Sequence, residues 1–328
     1  MATYLNETGV SLSVAVYLAT DHYDHIPNSL SATSLLKPTR QIVLTPRVPK
    51  EQQAIDVVSM MAARMGTSVH DGIEKAWMGG HYKQAMRSLG YDEKVIERIV
   101  INPDPSEVKP HDVPVYMEQR LFREFMGHTI SGKFDFIAGG RVEDFKNTSV
   151  YTWIYGSKTE DYQLQGSIYR WLDQGQRITE DHIAIQFFFK DWKASELSRN
   201  SKYPPRPTES QLIPLLSLSD TEDFIRDKLT ELDTHRDTHE MELPECSDKE
   251  LGRDPTIWKV KNTVDAPKAM AGGAKFDNPG DAYAFAQKKG GVVVEVKGQV
   301  KACNWCPAFV ICTQKDRYLA DGSLTVRS

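Results

Sequence analysis

Between residues 113 and 189 the hydrophobic pattern changes its period in a fixed order, and that order constrains the fold more than any other stretch of the chain. Short alternating runs through about 113–146 predict three strands. A helix follows over 160–174, and His182-Ile-Ala-Ile-Gln-Phe-Phe-Phe189 then reads as an apolar strand. The succession β-β-β-α-β predicts an α/β core with a mixed central sheet flanked by helices. Ahead of it, residues 51–78 and 80–100 read as helical, while Pro27, Pro38, Pro46 and Pro49 make the first 50 residues extended and turn-rich.

Beyond the apolar strand, Ser195 through Pro214 reads as a polar, proline-containing loop. Asp220–Glu240 places Phe224, Ile225, Leu229 and Leu232 at helical spacing in a charged surface helix. Residues 247–300 hold one short helix near 279–288 and one strand near 291–297. Three regions follow: an N-terminal segment over 1–50, a core over 51–215, and a helical, cysteine-bearing region over 216–328 packing on that core.

Within the core, residues 131–146 read Ser-Gly-Lys-Phe-Asp-Phe-Ile-Ala-Gly-Gly-Arg-Val-Glu-Asp-Phe-Lys, a hairpin with Asp135 on one strand and Asp144-Phe145-Lys146 on the next. Alternation sends Asp144 and Lys146 to one face and Phe145 to the other, with Phe134 and Phe136 also read as core. A twist between the strands would bring Asp135 beside Asp144. Two carboxylates and an ammonium then converge, a set that suits Mg²⁺ or Mn²⁺ and phosphodiester hydrolysis. Similar acid-x-Lys triplets occur at Asp92-Glu93-Lys94, in a charged helical stretch, at Asp191-Trp192-Lys193, in a turn after a strand, and at Glu295-Val296-Lys297, which no strand-borne Asp precedes at hairpin distance.

Two other stretches supply company. His70 shares a helical face with Ile73 and Trp77, and Gln165 and Tyr169, four apart, share a face of the 160–174 helix. Glu118 lies in the strand-like run Val115–Phe125 as a further acid. In this order the residues resemble the PD-(D/E)XK (restriction-endonuclease-like) nuclease superfamily, and within it the RecB-type nucleases. The resemblance covers roughly residues 60–190. It implies that His70, Asp135, Asp144 and the Phe145 carbonyl bind the metal, that Lys146 assists the water, and that Gln165 and Tyr169 contact nucleic acid. Ser29 through Arg40 is also similar to a segment of RecB-like nucleases in which small hydroxyl residues begin a helix.

All four cysteines, Cys246, Cys303, Cys306 and Cys312, fall in the last third of the chain. Cys303-Asn-Trp-Cys306 is the close pair that metal sites favour, and four sulfurs suit zinc or an iron–sulfur cluster. No signal-peptide-like stretch opens the chain, so a reducing cytoplasm is expected and disulfides are not. Cys-x-x-Cys-x5-Cys with a distant fourth cysteine is similar to the [4Fe–4S] staple of several RecB-like nucleases. There the lone cysteine usually precedes the catalytic core; here Cys246 follows it.

The formal net charge of −5 gives no global sign of nucleic-acid binding, but a positive groove can coexist with an acidic remainder. With the resemblance, the sequence implies a divalent-metal-dependent DNA nuclease, an exonuclease of recombination, repair or phage DNA metabolism. The alternative is a non-catalytic nucleic-acid-binding adaptor on the same fold. With no Walker loop and no helicase motif, unwinding would fall to a helicase or recombination protein as partner. No membrane association is expected.

Overall fold

The computed structural model describes residues 3–20, 26–52, 54–272 and 274–326. Its strands are β1 (Thr3–Leu5), β2 (Ser29–Ser31), β3 (Ala54–Asp56), β4 (Ile99–Ile101), β5 (Val113–Met117), β6 (Arg120–Phe125), β7 (His128–Lys133), β8 (Phe136–Ala138), β9 (Arg141–Thr148), β10 (His182–Phe189), β11 (Thr208–Pro214), β12 (Ile257–Lys261), β13 (Lys275–Phe276) and β14 (Val292–Val296). The α-helices are α1 (Leu12–Ala19), α2 (Ala32–Leu35), α3 (Thr39–Leu44), α4 (Met61–Met78), α5 (Tyr82–Ser88), α6 (Glu93–Ile96), α7 (Val150–Tyr155), α8 (Thr159–Asp173), α9 (Leu218–His235), α10 (Pro279–Lys289) and α11 (Gln314–Ala320). They form two compact units, one of Met1–Leu36 with Ala54–Thr230 and one of Lys37–Gln53 with Glu231–Ser328. Among the described residues, no helix is long and apolar enough to cross a membrane.

The first unit is mixed α/β, built on a six-stranded sheet of order β11-β10-β9-β8-β5-β4. β9 runs parallel to β10 and antiparallel to β8, and β4 runs parallel to β5. Strand alternation sorts the side chains onto two cores. Val142, Ile183, Ile185 and Phe187 pack with Ile168, Tyr169, Trp171 and Leu172 of α8 on one face. Phe136 and Phe145 pack with Val115 and Met117, and with Ile73 and Trp77 of α4, on the other. Gly166 permits the close approach of α8 to the sheet. A Cβ there would stand 2.8 Å from Leu215 Cδ2 and 2.9 Å from Ile183 Cβ. The β8–β9 hairpin turns on Gly139 and Gly140, whose φ values of 57° and 77° lie in the left-handed region that glycine enters most readily.

Several local expectations change. Residues 113–146 hold five strands, not three, because the chain leaves the main sheet after β5 and makes β6 and β7 in a separate sheet of order β2-β7-β6. It returns at β8. Two bonds fix that excursion, Glu118 N–H to the Asp135 carbonyl at 3.1 Å and Phe134 N–H to the Gln119 carbonyl at 3.2 Å. Asp135 therefore sits at a corner between two sheets and not within one strand. Residues 54–56 are extended, pairing in parallel with β1, and Asp56 caps the turn that follows by accepting from Val58 N–H at 2.9 Å. Residues 99–101 are likewise a strand. The supposed loop 195–214 ends in β11, which forms the sheet edge with Ile213 paired to Ile183. Among the described residues of the first 50 lie three short α-helices; Ser31 caps α2 by accepting from Ser34 N–H.

Among its described residues the second unit has three small hydrophobic clusters. Leu44 and Val48 pack with Leu243 and Ala308, Leu251 and Val300 pack with Tyr318 and Leu324, and Val260, Ala274 and Ala282 form the third. A three-stranded antiparallel sheet of order β13-β12-β14 packs with α10 around that third cluster. β12 lies in a stretch where the sequence pattern predicts no strand.

Candidate active site and cysteine recess

On β9 the same alternation that buries Val142 against α8 turns Asp144 and Lys146 toward that helix. Asp144, 1% exposed, meets Lys146 Nζ at 2.5 Å through Oδ2. Its Oδ1 accepts from Gln165 Nε2 at 2.9 Å; that amide also donates to Tyr169 Oη at 2.8 Å. Lys146 Nζ donates to Gln165 Oε1 at 3.4 Å. The four-residue spacing on α8 therefore makes a buried strut under Asp144. Gln165 and Tyr169 are 6% and 3% exposed, so both brace the carboxylate from within.

Asp135 reaches the same place from the sheet corner, its Oδ2 accepting from Phe145 N–H at 2.7 Å. From α4, His70 Nδ1 lies 3.5 Å from Asp135 Oδ1 and 3.4 Å from Glu118 Oε1, while Nε2 lies 3.2 Å from the Phe145 carbonyl. Ile73 and Trp77, on the same helical face, anchor α4 against Phe136 and Phe145. Glu118 occupies the turn between β5 and β6 with φ 52°, a left-handed conformation few non-glycine residues adopt. Its other oxygen pairs with Lys133 Nζ at 2.7 Å. Tyr162, which motif spacing alone did not single out, places its ring 5.5 Å from Lys146 Nζ; its only sequence signal is its place one turn before Gln165 on α8.

Burial and neighbouring charge set the electrostatics of the site. Burial first, and then the charge of Asp144, pushes the Asp135 carboxyl up to about 7. Burial pulls His70 down, but the Glu118 bond and the charges of Asp135, Glu118 and Asp144 outweigh it and leave it raised. For Lys146, burial is likewise overcome by Asp144 and Asp135, so the ammonium is held charged. Burial would raise Glu118, yet His70 and Lys133 bring it below its ordinary value. One donor atom each from His70, Glu118 and Asp135 lies within 4.8 Å of the others. One imidazole and hard carboxylate oxygens, crowded out of water, fit Mg²⁺ or Mn²⁺.

A pH dependence follows. Without metal, Asp135 keeps its proton up to about pH 7 in the folded protein, against an ordinary value of 3.8. The folded state binds more protons across that interval, so this group's contribution to stability declines as pH rises from about 4 to about 7. A divalent ion must displace that proton. Mn²⁺ should therefore raise the melting temperature more at about pH 8 than at about pH 5.5, with affinity weaker by roughly tenfold or more at the lower pH. Thermal scans at both values check this. Equal Mn²⁺ shifts, or a shift retained by Asp135→Asn, would contradict it.

In the second unit the four cysteines are free thiols that line one recess, together with Pro38, Arg40 and Leu44 from the 37–53 segment. Burial, with help from Glu250 and from Cys312 and Cys306, pushes Cys246 up to about 12; burial and the neighbouring sulfurs push Cys303 up to about 11. Cys306 is also raised by burial. Left alone, Cys246, Cys303 and Cys306 stay protonated at neutral pH, whereas a soft cation binds thiolates outright. Arg40, 4% exposed, donates from Nε to Cys312 Sγ at 3.2 Å and from Nη1 to the Leu243 carbonyl at 3.1 Å, and pairs with Glu240.

No protein-family model matches the chain, and no curated protein does. Among solved structures, SSO0001 matches at 16% identity over 70% of this chain and 88% of its own, with a TM-score of 0.40. A phage-related exonuclease from Haemophilus somnus 129PT matches at 14% identity over 64% of this chain and 93% of its own, with a TM-score of 0.28. At these scores neither likeness bears on what the site does.

Proposed function

We propose that the first unit is a divalent-metal-dependent deoxyribonuclease of the PD-(D/E)XK, RecB-like type, acting as an exonuclease on DNA ends or single strands. One observation carries the reading. His70, Glu118, Asp135, Asp144 and Lys146, drawn from a helix, a turn, a sheet corner and a strand, converge with hydrogen-bonded support from Gln165. Chance surface charge does not bury two carboxylates side by side, because the desolvation cost is large unless a cation offsets it.

His70, Glu118 and Asp135, with the Phe145 carbonyl and Asp144 beside them, would hold Mg²⁺ or Mn²⁺. When bound, the ion lowers the pKa of a water and polarises the scissile phosphate. The chain's own residues do the rest. Lys146 keeps its proton beside Asp144, so its ammonium can orient the attacking water and offset charge gathering on the phosphate oxygens. Gln165, held by Tyr169, fixes the rotamer of Asp144. Phe145 N–H fixes Asp135, leaving its second oxygen toward His70. In the same reading the four cysteines hold a [4Fe–4S] cluster or a zinc ion that staples the second unit. A helicase or recombination protein would supply unwinding.

The test is loss of label from end-labelled linear single- and double-stranded DNA, using anaerobically purified protein with Mg²⁺, Mn²⁺ or chelator. Divalent-dependent release is expected, and the labelled end lost first gives the polarity. A folded, metal-loaded protein that binds DNA without cutting it would replace this reading with a binding role.

A further inference from the structure

Strand alternation gives the three-stranded sheet of the second unit two unlike faces. Trp258, Val260, Phe276 and Val293 turn to one side and pack with Ala282 and Phe285 of α10. Register defines the other side. Lys259 stands opposite both Lys275 and Val294, Lys261 opposite Val292, and Ile257 opposite Val296. This second face thus holds three lysines and four aliphatic residues and no carboxylate, in a chain whose formal net charge is −5. Its aliphatic members join none of the buried clusters, and Val292 is 40% exposed.

Like charges directly opposite on antiparallel strands repel. Lys259 and Lys275 are so placed, and neither forms an ion pair among the described residues. Shortage of acid is not the reason, since Lys297 and Lys301, just beyond the sheet, pair with Asp321 and Asp254. A row of lysines held together at some cost to stability, with no neutralising partner for Lys259 or Lys275 among the described residues, matches a polyanion.

We propose that this face is a DNA-binding surface separate from the candidate active site, gripping the phosphate backbone of duplex DNA. The choice of DNA as the polyanion rests on the nuclease reading. Duplex rather than single strand follows from the side chains. The aromatic residues Trp258 and Phe276 turn toward α10, so the face offers charge without the stacking platforms that single strands use. Its contacts are to phosphate, and its binding is indifferent to sequence.

The experiment measures affinity of the full-length protein for a short labelled duplex by fluorescence anisotropy across a salt series, in chelator, so that cleavage plays no part. Replacing Lys259, Lys261 and Lys275 together by Gln should weaken binding on the order of 10²-fold at about 0.1 M salt and flatten the slope of log K against log salt by about 2.7, at about 0.9 per lost phosphate contact. Lys288→Gln with Lys289→Gln, on α10, should leave the slope unchanged. Lys275→Glu separates binding from folding. It puts opposite charges across β12 and β13, so it should weaken DNA binding while holding or raising the melting temperature. Wild-type slope and affinity in the triple variant would overturn the proposal and leave the nuclease reading untouched. Equal, lysine-dependent binding of phosphatidylserine vesicles or polyglutamate would overturn DNA as the occupant. An intact slope change in a protein that cuts no DNA would uphold the surface while removing the nuclease.

Discussion

Asp144→Asn should reduce divalent-dependent DNA cleavage by about 10³-fold or more, because the loss of one carboxylate beside the ion removes roughly 4 kcal/mol of transition-state stabilisation. The amide is the same size and still accepts from Gln165, and Lys146 keeps the Asp135 carboxyl nearby, so the protein should remain folded. Lys146→Ala should lose cleavage to a similar degree for a different reason. Lysine is not a metal ligand, so this variant should retain the melting shift produced by Mn²⁺. Steady-state cleavage rates, set beside Mn²⁺ titrations followed by thermal melting, separate the two roles. Wild-type cleavage by Asp144→Asn would end the active-site assignment. Loss of the Mn²⁺ shift in Lys146→Ala would show that the ammonium organises the ligands and does not act on water.

The second large effect concerns the recess. Cys306→Ser should release the metal and lower the melting temperature by roughly 10 °C or more. A structural metal contributes on the order of 10 kcal/mol to folding, and loss of one thiolate forfeits several of them. Cleavage below the melting transition should persist, since the cysteines and the candidate active site belong to different units. Iron, acid-labile sulfide and zinc analyses, run beside thermal scans of Cys303→Ser and Cys306→Ser, decide the matter. Metal-free wild-type protein with a melting temperature equal to that of both variants would leave four half-buried thiols and no staple.

Much of the site was legible because it depends on periodicity. Alternation on β9 separates Asp144 and Lys146 from Phe145, and spacing on α8 joins Gln165 to Tyr169; both follow from local geometry. The corner at Asp135 was not legible. It depends on the departure of β6 and β7 to another sheet, fixed by backbone hydrogen bonds that leave no residue pattern. The same departure places Glu118 next to His70, where the sequence showed only an acid in a strand-like run. β11 was hidden because Pro204, Pro205 and Pro207 mark a loop, while the pairing of Ile213 with Ile183 is long-range. β12 was hidden because Lys259 and Lys261 alternate with Trp258 and Val260 over a run too short to stand out.

The segment Lys37–Gln53 lies between two parts of the first unit in sequence but belongs to the second. Thr39 donates to Glu231, Arg47 donates to the Thr238 and Arg236 carbonyls, and Arg40 reaches Cys312. On the ribosome this segment is made early and waits, with Leu44 and Val48 uncovered, until the last residues of the second unit emerge. A stop codon after Thr230 would keep every residue of the first unit yet strand an apolar insertion within it. No single crossover can exchange either unit whole and leave the other intact.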